Sequence, residues 1–180
     1  MKRNLLLGVF LVFCSVASAQ SIDPARSIVE FKVSNMGFMT VSGTLGGMKG
    51  TVNFDTDNLK DSFFDVSVDP TTINTNSKKR DDHLKEEDFF NVAEFLAIRF
   101  ISSEIIKTPE GLVAKGTLSL RGETRNIAIP FTQRQEPGET IFKGEIQIDR
   151  EDYKLGTDKY SGAFMIGSTV EVTINCVLTE

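Results

Sequence analysis

One short segment concentrates the side chains able to do chemistry: Arg80, Asp81, Asp82 and His83, followed by Leu84 and then by Asp88, Phe89 and Phe90. A carboxylate beside an imidazole is the raw material of general acid–base catalysis, and His83 is the chain's only histidine. One functional reading is therefore an enzyme that uses His83 with Asp81 or Asp82. The same residues fit a plainer role, in which Arg80 clamps a loop through a bidentate bond to a carboxylate and His83 holds a carbonyl. Asp149, Arg150 and Asp152 form a second charged corner, which reads as a loop clamp or a place for a polar headgroup. A single histidine excludes a histidine-based metal site, so no metal is expected. The sequence has no nucleophile elbow, phosphate-binding glycine loop or Cys-x-x-Cys pair, so no cofactor and no catalytic residue is assigned. Arg80, Asp81, His83 and Arg150 are assigned as a lid clamp or headgroup contacts.

The elements around these residues alternate apolar and polar with a period of two, the mark of half-buried strands. Val29, Phe31 and Val33 begin the pattern, and Met39, Val41, Gly43 and Leu45 continue it. Next come Val52 and Phe54, then Phe64, Val66 and Val68, then Leu96, Ile98 and Phe100. Leu112, Ala114, Gly116, Leu118 and Leu120 precede Ile127, Ile129 and Phe131. Phe142, Gly144, Ile146 and Ile148 are followed by Val170, Val172, Ile174, Cys176 and Leu178. These are about nine strands, joined by turns at Gly46-Gly47, Arg121-Gly122-Glu123 and Pro137-Gly138. Two connections are long, Pro70 to Glu94 and Arg150 to Gly167. The first is expected to hold one short helix, roughly Lys78 to Asn91, with Asp81 and Asp82 near its positive end and Asp81 paired with Lys85. No repeat or change of composition divides the chain. An all-β, antiparallel domain follows, and both a sandwich and a closed barrel satisfy it.

Glycine occupies the inward register at positions 43, 116 and 144, with Ala114 beside them. Two consequences are open. Missing side-chain volume can leave a cavity lined by Phe31, Val41, Phe100, Leu118, Phe142 and Ile146, since an eight-stranded barrel has the bore for one small ligand. Alternatively, a glycine in a strand marks a bulge or bend in a filled structure. The chain has 14 phenylalanines and no tryptophan, and phenylalanine offers apolar surface with no polar tip to satisfy. Phe38, Met39, Phe89, Phe90, Phe164 and Met165 fall at strand ends or in loops, as an apolar mouth or as a satellite cluster under the loops.

The first residues read as an export signal. Lys2 and Arg3 precede an apolar run from Leu5 to Val16, and Ala17-Ser18-Ala19 forms a small-x-small cleavage site. The run falls short of the roughly 20 residues that span a bilayer. Residues 1–19 are thus expected to be a signal peptide and residues 20–180 one domain. Phe13 before Cys14 does not suit lipidation of that cysteine, and its loss leaves Cys176 as the only thiol, facing inward and inert. Without Lys2 and Arg3 the chain keeps 18 basic against 25 acidic residues. That acidity argues against nucleic acid and anionic headgroups as partners. An acidic, exported domain with no internal disulfide fits the periplasm, with secretion as the alternative.

Several segments, in order and spacing, resemble the YceI family of exported lipid-binding domains, from Ile28 to Leu178. They are Ile73-Asn74-Thr75-Asn76 with Arg80-Asp81-Asp82-His83-Leu84 and Asp88-Phe89-Phe90, then Gly116 to Thr124, then Phe142-Lys143-Gly144 with Ile148 to Tyr153. The resemblance implies an eight-stranded, lipocalin-like barrel around an elongated apolar pocket that holds an isoprenoid or other amphiphilic chain, without known catalysis. It favours a hollow interior and a soluble carrier, monomeric or homodimeric and not membrane-spanning. The ligand-binding set expected on that basis is Phe31, Val41, Gly43, Phe100, Gly116, Leu118, Phe142, Gly144, Ile146, Phe89, Phe90 and Phe164. Asn35 replaces a histidine frequent in the family, Phe95-Leu96 replaces a proline, and Lys154 stands where a glycine is usual. A filled barrel acting as an interaction module, and an enzyme working through His83, are the alternatives.

Overall fold

The alternating segments form ten antiparallel strands in a computed structural model of the chain, which describes residues 20–160 and 165–179. The leader, Cys14 and Phe164 lie outside the described residues. The strands are β1 (Ser21–Ile22), β2 (Ile28–Asn35), β3 (Met39–Leu45), β4 (Lys49–Asn53) and β5 (Phe63–Val68), followed by β6 (Ile98–Thr108), β7 (Gly111–Leu120), β8 (Glu123–Glu136), β9 (Glu139–Asp149) and β10 (Ile166–Thr179). They make one sheet in the order β3-β2-β10-β9-β8-β7-β6-β5-β4, with β1 added to the end of β10.

The expected eight-stranded closed barrel needs correction. The sheet is a strongly curled half-barrel, and its ladder path ends at β3 on one side and β4 on the other. Gly47, at φ 64°, helps turn the chain between these two strands. What covers the β3 edge is the long connection. Thr44 and Asn74 exchange both backbone hydrogen bonds, at 2.9 and 3.0 Å. The Gly46 amide donates to the Thr72 hydroxyl at 2.8 Å. An edge left bare would offer unpaired amides and carbonyls to any passing strand, and residues 72–74 take that role here.

The helix α1 (Lys78–Lys85) in this connection is shorter than the sequence suggested. Glu86 takes an extended conformation with ψ 173°, and turns carry the chain on to Phe95. Asp81 does not form the expected side-chain pair with Lys85, because its carboxylate is taken by Thr75. The i,i+4 ion pair of this helix is Lys78 with Asp82, at 2.6 Å. The second long connection holds a 3-10 turn (Glu151–Tyr153) and the one-turn helix α2 (Thr157–Tyr160). No helix among the described residues is long and apolar enough to cross a membrane.

The interior is divided lengthwise. At one end Phe54, Phe64, Phe131 and Phe142 pack ring against ring, with centroids 5.2–6.2 Å apart and mostly edge to face. Aromatic quadrupoles favour that arrangement, and it fills the space. The opposite end, under the two long connections, is open inside. Inward residues there, such as Phe31, Val33, Ile146 and Val172, are only half-buried although their strand neighbours Lys32, Glu145 and Glu171 face outward.

Candidate functional site

The open end encloses a cavity of about 250 Å³. Its walls are the strand ends that meet there, and its cover is the 70–97 connection. Phe31, Val33 and Asn35 come from the end of β2, Val41 from the start of β3, and Val66 and Val68 from the end of β5. Ile98 and Phe100 open β6, Leu118 and Leu120 close β7, Ile127 and Ile129 open β8, and Ile146 and Ile148 close β9. Val170, Val172 and Ile174 complete the wall from β10. Ile73, Leu84, Phe89 and Phe90 cover it. The only side chains in this lining with polar groups are Asn35, Ser67, Arg80 and Arg150. An engineered apolar cavity of about 150 Å³ stays dry and takes up benzene, so a larger apolar space suits an apolar guest.

Both arginines are committed to holding the cover rather than presented to the interior. Thr75 is 4% exposed, and its backbone amide and hydroxyl both donate to Asp81 Oδ1, at 2.8 and 2.5 Å. Arg80 Nε donates to Thr75 Oγ1 at 2.7 Å, and its Nη2 to the Thr75 carbonyl at 2.9 Å. Burial pushes the Asp81 carboxyl up, but the two Thr75 donors with Arg80 and Lys85 outweigh it and hold the pKa below the ordinary value. The helix is thereby tied to the segment that seals the β3 edge. Arg150 is 3% exposed. Its guanidinium donates to the carbonyls of Leu155, Gly156, Tyr160, Ile166 and Gly167, at 2.6–3.2 Å. One buried cation thus fastens the second connection to the start of β10.

His83 lies on the outer side of this cover. Its ring is exposed, 5.1 Å edge-on from Phe89, and its Nε2 is 3.2 Å from the Tyr160 hydroxyl. With Asp81 bound to Thr75 and Asp82 to Lys78, the imidazole–carboxylate pair needed for acid–base work is not assembled. Phe89 is buried against Gly156, where an added Cβ would come 2.6 Å from its ring. Among the described residues no cluster of three metal-ligating side chains forms.

The structure places Phe31, Val41, Phe100, Leu118, Ile146, Phe89, Phe90, Arg80 and Arg150 around the cavity. Phe142 is not in the lining but in the aromatic plug. The three inward glycines do not line it either. A Cβ on Gly116 would meet the Ile101 carbonyl oxygen at 2.1 Å, beside a register shift between β6 and β7, so this glycine marks a bulge. On Gly43 it would meet Phe31 at 2.5 Å, and on Gly144 Ile129 at 2.9 Å. Their missing volume is occupied by cavity-lining side chains. Val29, Val33, Val170, Val172 and Ile174 belong to the wall but were not assigned to it from sequence. Their alternation was visible; what was lacking was the knowledge that β10 pairs with both β2 and β9.

Residues 20–178 match the family model for the YceI-like domain. The chain belongs to the YceI-like domain family. Protein YceI of Salmonella agona is 30% identical over 171 residues, which cover 88% of this chain and 90% of that protein. The crystal structure of BcnA from Burkholderia cenocepacia superposes with a TM-score of 0.80 at 21% identity, covering 87% of this chain and 98% of that one. A polyisoprenoid-binding domain from Saccharophagus degradans, implicated in plant cell wall breakdown, superposes with a TM-score of 0.70 at 16% identity, covering 89% and 98%. At these identities the solved structures establish the fold, a curled antiparallel sheet. Within the YceI-like domain of this chain, Lys154 takes the left-handed conformation at φ 56° where a glycine was expected, and Gly156 follows at φ 62°.

Proposed function

We propose that this chain is a non-catalytic periplasmic carrier that holds the hydrocarbon part of a long amphiphile, an isoprenoid, an isoprenoid quinone or a fatty acyl lipid, inside the curled sheet. The observation that carries this reading is the apolar cavity of about 250 Å³ at the covered end, in a family with a polyisoprenoid-binding domain among its structural neighbours. Each buried methylene contributes about 0.8 kcal/mol, so even a partly enclosed tail gives useful affinity. Because Arg150 is bonded to five backbone carbonyls and Arg80 is bonded twice to Thr75, selectivity rests on the shape of the apolar space more than on ionic headgroup recognition. Asn35, at the end of β2, is the polar group placed to meet the head of such a molecule. Export through residues 1–19 would deliver the chain to the compartment where such a carrier is needed.

Native mass spectrometry of protein purified without detergent tests the reading. An adduct of the mass of one amphiphile, removed by organic extraction and restored by adding an isoprenoid or fatty acid, is the expected result. A bare mass that no such lipid shifts would overturn it.

A further inference from the structure

The cavity end carries a second apolar feature on its outside. The turn between β2 and β3 and the first residue of β3 leave Met36 53%, Phe38 81% and Met39 45% exposed, and Met165, just before β10, is 45% exposed. The Met36 amide donates to the Met165 carbonyl at 2.7 Å, so the two loops form one tip. The same backbone runs directly into the cavity wall, through Asn35, Val41 and Ile166.

Charge is absent from this tip. Residues 33–48 contain no acidic or basic side chain, and neither do residues 165–170. In this charge-rich chain, the first charges behind the tip on the two neighbouring strands are Lys32 and Glu171, directly opposite each other across β2 and β10. At about 3.3 Å per strand residue they stand roughly 10 Å back from Asn35. Interfacial elements sink about 5–10 Å into the boundary between headgroups and acyl chains. On the β2 side the height of the charge-free zone matches that depth, Asp149 of β9, opposite Thr169, bounds it on the other side of β10, and a narrow hairpin tip suits a deformable surface better than a flat protein face.

We infer that the Met36–Phe38–Met39–Met165 tip docks the protein on a lipid bilayer by apolar insertion, placing the cavity end against the membrane. The inference rests on the carrier reading, since a guest leaving the bilayer would pass along continuous apolar surface. With net charge −5 and no basic residue at the tip, attraction to anionic lipid plays no part. Docking is therefore expected on neutral phosphatidylcholine vesicles and at high salt alike.

Co-sedimentation of the purified protein with phosphatidylcholine vesicles, at low and high salt, tests this. The wild-type chain should partition equally at both. Phe38→Asp should lower the partition constant about tenfold or more, and Met165→Gln by less. Both positions are exposed, so circular dichroism of the variants should match the wild type. Binding of a fluorescent fatty acid in vesicle-free solution should also be unchanged, which separates docking from carrying. Absence of vesicle binding by the wild type, binding abolished by salt, or equal partition of Phe38→Asp would each overturn the inference. So would a dimer that Phe38→Asp dissolves without change in vesicle binding.

Discussion

Thr75 is the residue on which the cover depends. It is buried, and its hydroxyl both donates to Asp81 and accepts from Arg80. Thr75→Val keeps the shape and removes the hydroxyl, leaving two charged groups short of a partner. Arg80 and Asp81 are half-buried, so losing their shared hydroxyl costs about 1–2 kcal/mol, and urea denaturation should show a loss of that size. His83→Ala, at an exposed position where the ring meets Tyr160 Oη, should change stability by less than about 1 kcal/mol. Equal effects would contradict the assignment of the clamp. Cys176 gives a second test. Burial pushes its pKa from 9.0 up to about 11, against a smaller opposing effect of the Ser27 hydrogen bond. The folded state therefore keeps the thiol protonated where the unfolded chain ionises it. Its contribution to stability is full below about pH 9 and is lost as pH rises toward 11, amounting to about 3 kcal/mol. The stability difference between wild type and Cys176→Ala, followed across that range, should shrink by that order; a constant difference would refute the burial of the thiol.

Strands were more legible than the ends they share. Period-2 alternation marked every major strand, because one face of each meets the interior and the other meets water. It did not reveal closure, since the ladder partners of the terminal strands β3 and β4 are not encoded in either strand's own pattern. The segment that covers β3 is irregular, and among the described residues it meets that strand through one isolated bridge, Thr44 with Asn74. Leu96 read as a strand residue but lies before β6 and is 74% exposed. The glycines show the limit most plainly. Gly43, Gly116 and Gly144 look alike in register, yet the atom nearest a Cβ is a backbone carbonyl oxygen at Gly116 and a side-chain carbon at Gly43 and Gly144. Gly116→Ala forces β6 and β7 apart and should cost about 2 kcal/mol or more, whereas Gly144→Ala displaces one methyl of Ile129 and should cost about 1 kcal/mol. Thermal denaturation of the two variants distinguishes them. If Gly116→Ala proved the milder change, the bulge at Ser102–Glu104 would be misplaced.

At the scale of the whole molecule, the sheet is neither a filled sandwich nor a hollow tube. Phenylalanine plugs one end, while the other keeps an apolar cavity of about 250 Å³. The two long connections close that end, each held by one arginine that bonds to backbone carbonyls. Twelve phenylalanines follow residue 19, but which of them fill the plug and which line the cavity depends on the strand end each occupies, a property of the assembled sheet. The central claim is that the remaining space takes up a hydrocarbon chain. Titration with a polarity-sensitive fluorescent fatty acid, on wild type and on Val172→Phe, tests it directly. Val172 stands between Phe31 and Ile146 in the wall, so a ring there occupies the space. Saturable one-to-one binding by the wild type, weakened about tenfold or more in a fully folded Val172→Phe, is the expected result. Wild-type protein that binds no probe, or a variant that binds it equally well, would contradict the account.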